Sequence, residues 1–336
     1  MNQCIFARRT YSHQIGRIAL VCGVALSLCS RATSFAGVIR DDRLQSDYLN
    51  LGALPAYASV GMIQERTASG GYVGSGTLIS SNWVLTAAHM VDKATSMNFT
   101  VGGTRYTADK WVANPSWTGN LGAGYDIGLI HLSKTVGNVT PATRYTGTSE
   151  LGKTATFTGF GMTGTGLTGA TTFDGRKRAG QNVVDWLYGG NSKTARLFLV
   201  DFDDPHSAIY NHTGSSTPLG LEYLIAPGDS GGGDFIDFGK GSQLVGVNSF
   251  GMSYTGTPNS SYGNLSGHVR VSAFNSWIDS VIGTSAKASL LSDPSSLTSQ
   301  NLAQLPEPSS FVLAVLAALG MGIAVRRQRK PLHIHG

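Results

Sequence analysis

The chain has 336 residues, 41% of them apolar and only 13% charged, enough to bury a large core and too apolar for a disordered tail protein. Its 44 glycines follow no Gly-X-Y period, which excludes collagen. The net charge of +5 belongs to the ends: Arg8, Arg9, Arg17 and Arg31 at one, Arg326, Arg327, Arg329 and Lys330 at the other. Without them the body is slightly acidic, so nothing argues for nucleic-acid binding.

In chain order, a basic front through Arg17 precedes an apolar run at 18–29, then small residues, with Ser34 and Ala36 three and one before a cut ahead of Gly37. This predicts a secretory signal peptide over 1–36, its apolar run too short to span a bilayer. Cys4, Cys22 and Cys29 are the only cysteines and all fall inside it. The processed chain therefore has no disulfide and no cysteine-ligated metal, and its stability must come from packing.

Residues 37–283 read as one all-β domain. Short β-rich runs at 71–80, 83–86, 126–132, 154–160, 197–202, 242–250 and 267–271, punctuated by Gly, Asn and Ser, predict a sandwich or barrels. The first run leads through a tight turn into Trp83–Thr86 and then into Ala87-Ala88-His89, where small residues let the backbone pack closely while an imidazole sits at the rim. Asp126 opens the apolar strand Ile127-Gly128-Leu129-Ile130. Gly159–Gly175, rich in Gly and Thr, reads as a long mobile loop. In Ala226-Pro227-Gly228-Asp229-Ser230-Gly231-Gly232-Gly233 a serine is surrounded by glycines, so substrate can approach and consecutive N–H groups can point one way. Serine oxygen is a poor nucleophile until a base removes its proton, and such N–H groups stabilise a developing oxyanion by roughly 3–4 kcal/mol per donor. A helix at 271–282 carries Val271, Phe274, Trp277, Ile278, Val281 and Ile282 on one stripe. Residues 284–304 read as a linker.

The Thr86-Ala87-Ala88-His89, Asp126-Ile127-Gly128-Leu129 and Gly228-Asp229-Ser230-Gly231-Gly232 segments resemble the three signatures of trypsin-like serine proteases, in that family's order. The resemblance runs from about Tyr57 to Ile282. It implies two perpendicular β-barrels with a C-terminal helix and the site in the crevice between them. By the resemblance, His89 is the general base and then acid, Asp126 orients it, and Ser230 is the acylated nucleophile. The N–H groups of Gly228 and Ser230 form the oxyanion hole. Ser249-Phe250-Gly251 matches the strand that pairs with substrate and lines the specificity pocket, and Leu224 falls at that pocket's base, pointing to an apolar or small P1 residue. The resemblance implies a monomeric endopeptidase acting on polypeptides without cofactor or metal.

Three departures stand out. Met90 replaces a disulfide cysteine, Gly233 replaces a proline, and Gly37-Val38-Ile39, released by signal removal, would have to supply the apolar N-terminus that pairs with Asp229. The rival reading is a catalytically silent binding module on the same fold. The Gly-x-Ser-x-Gly elbow of α/β-hydrolases is excluded by the three glycines after Ser230 and by the lack of downstream βα units. Asp201, Asp203, Asp204, His206 and His212 form an oxygen-rich stretch without EF-hand spacing, which reads as a solvated loop.

The tail places Pro306-Glu307-Pro308 before an apolar run at 309–325 and then the basic cluster, an arrangement that stops transfer through a membrane. Residues 305–330 resemble the sorting signal of PEP-CTERM proteins, with a transmembrane helix. That resemblance implies export across the inner membrane of a Gram-negative bacterium. Signal peptidase and an exosortase would be the processing partners, with transient anchoring before release to the cell surface or medium.

Overall fold

The computed structural model describes residues 37–253 and 259–292. The expected signal at 1–36, the linker beyond residue 292, and the sorting signal at 305–330 with Pro306, Glu307 and Pro308 lie outside the described residues.

A short strand β1 (Val38–Ile39) and a helix α1 (Gln45–Gly52) lead into six antiparallel strands: β2 (Val60–Thr67), β3 (Gly70–Ser80), β4 (Trp83–Thr86), β5 (Ser96–Val101), β6 (Thr104–Ala113) and β7 (Gly128–Leu132). They close into a barrel in the order β2-β3-β4-β7-β6-β5, which leaves no unpaired edge. Alternation sends Met97, Phe99 and Val101 of β5 inward. The wall closes tightly at Gly76, where a Cβ would lie 2.6 Å from Val84 and 2.8 Å from Ile63.

The second half holds β8 (Thr154–Gly159), β9 (Thr163–Thr165), β10 (Gly169–Thr172), β11 (Arg178–Val183), β12 (Trp186–Tyr188), β13 (Leu197–Asp201), β14 (Tyr223–Leu224), β15 (Gly233–Asp237), β16 (Ser242–Met252) and β17 (Leu265–Arg270). Seven of them form a second barrel-like sheet in the order β11-β8-β15-β16-β17-β13-β12, and β10-β9-β1-β14 form a small sheet beside it. The segment read as a mobile loop is thus largely a hairpin. β9 pairs antiparallel with β10 and parallel with β1, so a partner more than a hundred residues away orders a stretch with no apolar alternation of its own.

The C-terminal helix also differs from expectation. Val271–Ala273 form a 3-10 turn, and α2 runs Asn275–Ser292, into the segment read as linker. The apolar stripe does its expected work: Val271, Phe274 and Ile278 are buried, with Trp277, Val281 and Ile282 packed alongside. That cluster holds Leu129 and Ile130 of the first barrel together with Leu244 and Val247 of the second sheet, so one core joins both halves. At the root of α2, buried Arg270 meets buried Glu150 at 2.6 and 3.2 Å and donates to the carbonyls of Ala195 and Ser192. Ser272 adds a hydrogen bond to the same carboxylate.

Candidate active site

Strand β4 ends at Thr86, and fully buried Ala87 and Ala88 turn the chain so that His89 emerges with its side chain 31% exposed. Methionine does the packing beneath it. A Cβ at Gly74 would sit 2.4 Å from the Met90 Cε, so the thioether fills the space between the hairpin and the histidine turn. Asp126, immediately before β7, is wholly buried. Its Oδ1 accepts the His89 backbone N–H at 2.9 Å, and its Oδ2 meets His89 Nδ1 at 2.7 Å. A carboxylate only accepts, so Nδ1 carries the proton and Nε2 presents its lone pair. The Ser249 hydroxyl donates to the same Oδ2 at 2.6 Å. The resemblance implies a substrate-pairing strand at Ser249, and nothing in the local sequence signals this bond to Asp126.

Ser230 arrives from the other half. Its loop is pressed onto the first barrel, where Ser75 N–H donates to the Ser230 carbonyl at 2.8 Å and the Ser75 hydroxyl donates to the Gly228 carbonyl at 3.0 Å. Gly231, at φ +83°, has no room for a side chain: a Cβ would lie 2.0 Å from Thr86 Oγ1. The N–H groups alternate in use. Those of Asp229, Gly231 and Gly232 donate to Ala226, Asn248 and Asp229 carbonyls, whereas those of Gly228 and Ser230 have no acceptor among the described residues. The Pro227 carbonyl accepts from Met162 N–H at 3.0 Å. In a trans peptide this turns the Gly228 N–H the opposite way.

Behind the loop, Asp229 is wholly buried. Its carboxylate accepts from the N–H groups of Gly37 (2.5 Å), Ala226 (3.0 Å) and Gly161 (3.0 Å) and from the Tyr223 hydroxyl (3.3 Å). Burial pushes its pKa up to about 6 against the pull of these donors. Only glycine fits at position 37, since a Cβ would fall 1.8 Å from the Tyr223 ring.

Two cavities flank Ser230. One, of about 150 Å³, is lined by Ile225, Ala226, Ser249, Phe250, Gly251 and Met252, with Ser253, Asn259, Ser260 and Asn264 also on its wall. Among the described residues no charged one lines it. Leu224, expected at the pocket's base, is not among the lining residues: it pairs with Val38 in the small sheet and is buried in the second core, next to Ile225, which lines the wall. The other cavity, of about 430 Å³, is lined by His89, Ser230 and Gly228 together with Glu65, Tyr72 and Lys93. His89 and Ser230 thus share one opening, although no hydrogen bond joins their side chains among the described residues. Such bonds often tighten only when substrate binds.

Asp201 Oδ2 accepts the N–H groups of His212 and Thr213, Asp204 caps His206 N–H, and His206 Nε2 reaches Asp41. Among the described residues no group of His, Cys, Asp and Glu is arranged to hold a metal.

Residues 52–278 match the family model described as Trypsin. Chymotrypsin-like elastase family member 1 of Canis lupus familiaris is 42% identical over 72 residues, 18% of this chain and 28% of that relative. The Homo sapiens protein of the same name is 40% identical over 72 residues, with the same coverage. The chain therefore spans little more than a quarter of the length of the curated relatives it matches. A solved structure of HL collagenase superposes with a TM-score of 0.51 at 20% identity, covering 69% of this chain and 96% of that one, a likeness of fold.

Proposed function

The chain belongs to the trypsin family of serine proteases, and from that premise we propose that it is an exported serine endopeptidase using His89, Asp126 and Ser230. The observation that carries the reading is the Asp126–His89 bond at 2.7 Å beside a cavity that His89 shares with Ser230. Ser230 Oγ attacks the scissile carbonyl carbon as His89 Nε2 takes its proton. The carbonyl oxygen becomes an oxyanion received by the two unengaged N–H groups, Gly228 and Ser230, and buried Asp126 stabilises the imidazolium. Collapse breaks the C–N bond, with Nε2 returning the proton to the departing amine. Water, deprotonated by His89, then splits the acyl-enzyme and restores Ser230.

The 150 Å³ cavity takes the P1 side chain in this reading. Its uncharged wall offers no counter-ion, and a buried unpaired cation is costly, so P1 is small or apolar. A cut between Ala36 and Gly37 by signal peptidase would turn the Gly37 N–H into an α-ammonium already seated on Asp229. The protein then works as a monomer, anchored through its tail until an exosortase cuts near Pro306-Glu307-Pro308. Fluorophosphonate labelling of the secreted protein tests the core of the reading. Label should enter the native protein and be lost in Ser230→Ala, while a folded but unlabelled native protein would favour the silent binding module.

A further inference from the structure

The larger cavity contains a group the hydrolytic steps do not use. Glu65 lies on β2 two residues after Ile63, on the same inward face, and is only 6% exposed. It lines the cavity with His89, Gly228 and Ser230. Its Oε2 is buried without a hydrogen-bond partner, and it has no ion pair among the described residues. Lys93 lines the same cavity, exposed and unpaired with it. Burial raises the Glu65 pKa to about 7, offset only by the charge of His89. A carboxylate left in this position is poorly compensated by its own protein, and a cation delivered by a ligand would compensate it.

Geometry says which part of a ligand could do so. This inference rests on the protease reading, in which the acyl side of the substrate occupies the cavity at Ser249–Ser253. His89 protonates the departing amine, so the chain beyond the scissile bond leaves on the His89 side of Ser230, which is the side of the Glu65 cavity. We propose that Glu65 is a specificity residue for the leaving half of the substrate, selecting a Lys or Arg side chain at P1′ or P2′. The enzyme would thus read an uncharged residue before the cut and a basic residue after it.

Internally quenched peptides with one fixed acyl-side sequence and Lys, Arg, norleucine, Gln or Glu at P1′ and P2′ test this on the secreted, processed protein. The native enzyme should show kcat/KM about tenfold or more higher for Lys or Arg than for norleucine, the scale of a close charge pair. In Glu65→Gln and Glu65→Met that ratio should fall to near one, and Glu65→Asp should keep part of it. Two neutral replacements are used because removing a lone buried carboxylate relieves desolvation, so at least one is expected to fold. A native ratio near one overturns the proposal without any variant, as does a preference that survives in either neutral variant. Failure of the protease reading is separate: no peptide would be cleaved and no fluorophosphonate would enter Ser230.

Discussion

Asp229 connects the start of the described chain to the loop whose Gly228 and Ser230 N–H groups are the proposed oxyanion donors. It holds Gly37, Ala226 and Gly161 at once, and Gly161 neighbours Met162, whose N–H fixes the Pro227 carbonyl. On the proposed reading, Asp229→Asn should loosen that chain of bonds and cost about 10²-fold or more in kcat, the scale of a lost oxyanion donor, with burst titration and circular dichroism separating this from unfolding. Asp203 shows the opposite economy. It is 3% exposed, its Oδ1 has no partner, and burial with the nearby Asp201 and Asp185 charges raises its pKa to about 8. An unfolded aspartate ionises near 4. The folded state therefore keeps a proton that the unfolded state loses, and the associated stability, full below about pH 4, disappears as pH rises through about 8. In a Ser230→Ala background, Asp203→Asn should raise Tm at pH 9 by several degrees more than at pH 5; an equal shift at both would contradict this account.

Among elements, α2 depends on what lies at its root. Glu150 and Arg270 are both essentially inaccessible and hydrogen-bonded on several sides. Glu150→Ala leaves a buried guanidinium uncompensated and should destabilise the fold by about 3–5 kcal/mol in urea titration. The elements also show what a sequence can disclose. The His89, Asp126 and Ser230 segments were legible because each is a short local pattern in which small residues surround one polar group. The hairpin of β9 and β10 was not, since Thr and Gly without alternation look like a loop until β1 is brought alongside. Helix α1 escaped notice for a similar reason: of Gln45–Gly52, only Tyr48 and Gly52 are buried. Glu65 was hidden in the polar run Gln64-Glu65-Arg66, where nothing marks the middle residue as facing inward. For Leu224 and Ile225, alternation along a two-residue strand gives too little pattern to fix which side chain faces the cavity.

Across the whole molecule, the apolar cluster beneath α2 draws on both halves, so the crevice carrying Ser230 and His89 sits over shared packing rather than between independently stable parts. The Asp126–Ser249 bond crosses the same divide at 2.6 Å. Strand spacing anticipated a sandwich or barrels, and the two-part architecture followed from the family resemblance carried by the three local patterns. The bonds that lock the halves together were invisible, because they join residues far apart in sequence, Ser75 with Phe160 and Ser230, and Ala123 with Arg196.

The methionine packed against Gly74 has a practical meaning. Since no sulfur–sulfur bond ties the hairpin to the histidine turn, and no cysteine follows residue 29, folding of the described residues requires no oxidase, and among them reductants such as dithiothreitol find nothing to cleave. The vulnerability moves to oxidants: conversion of the Met90 thioether to its sulfoxide would force a polar oxygen into a contact that leaves it no space.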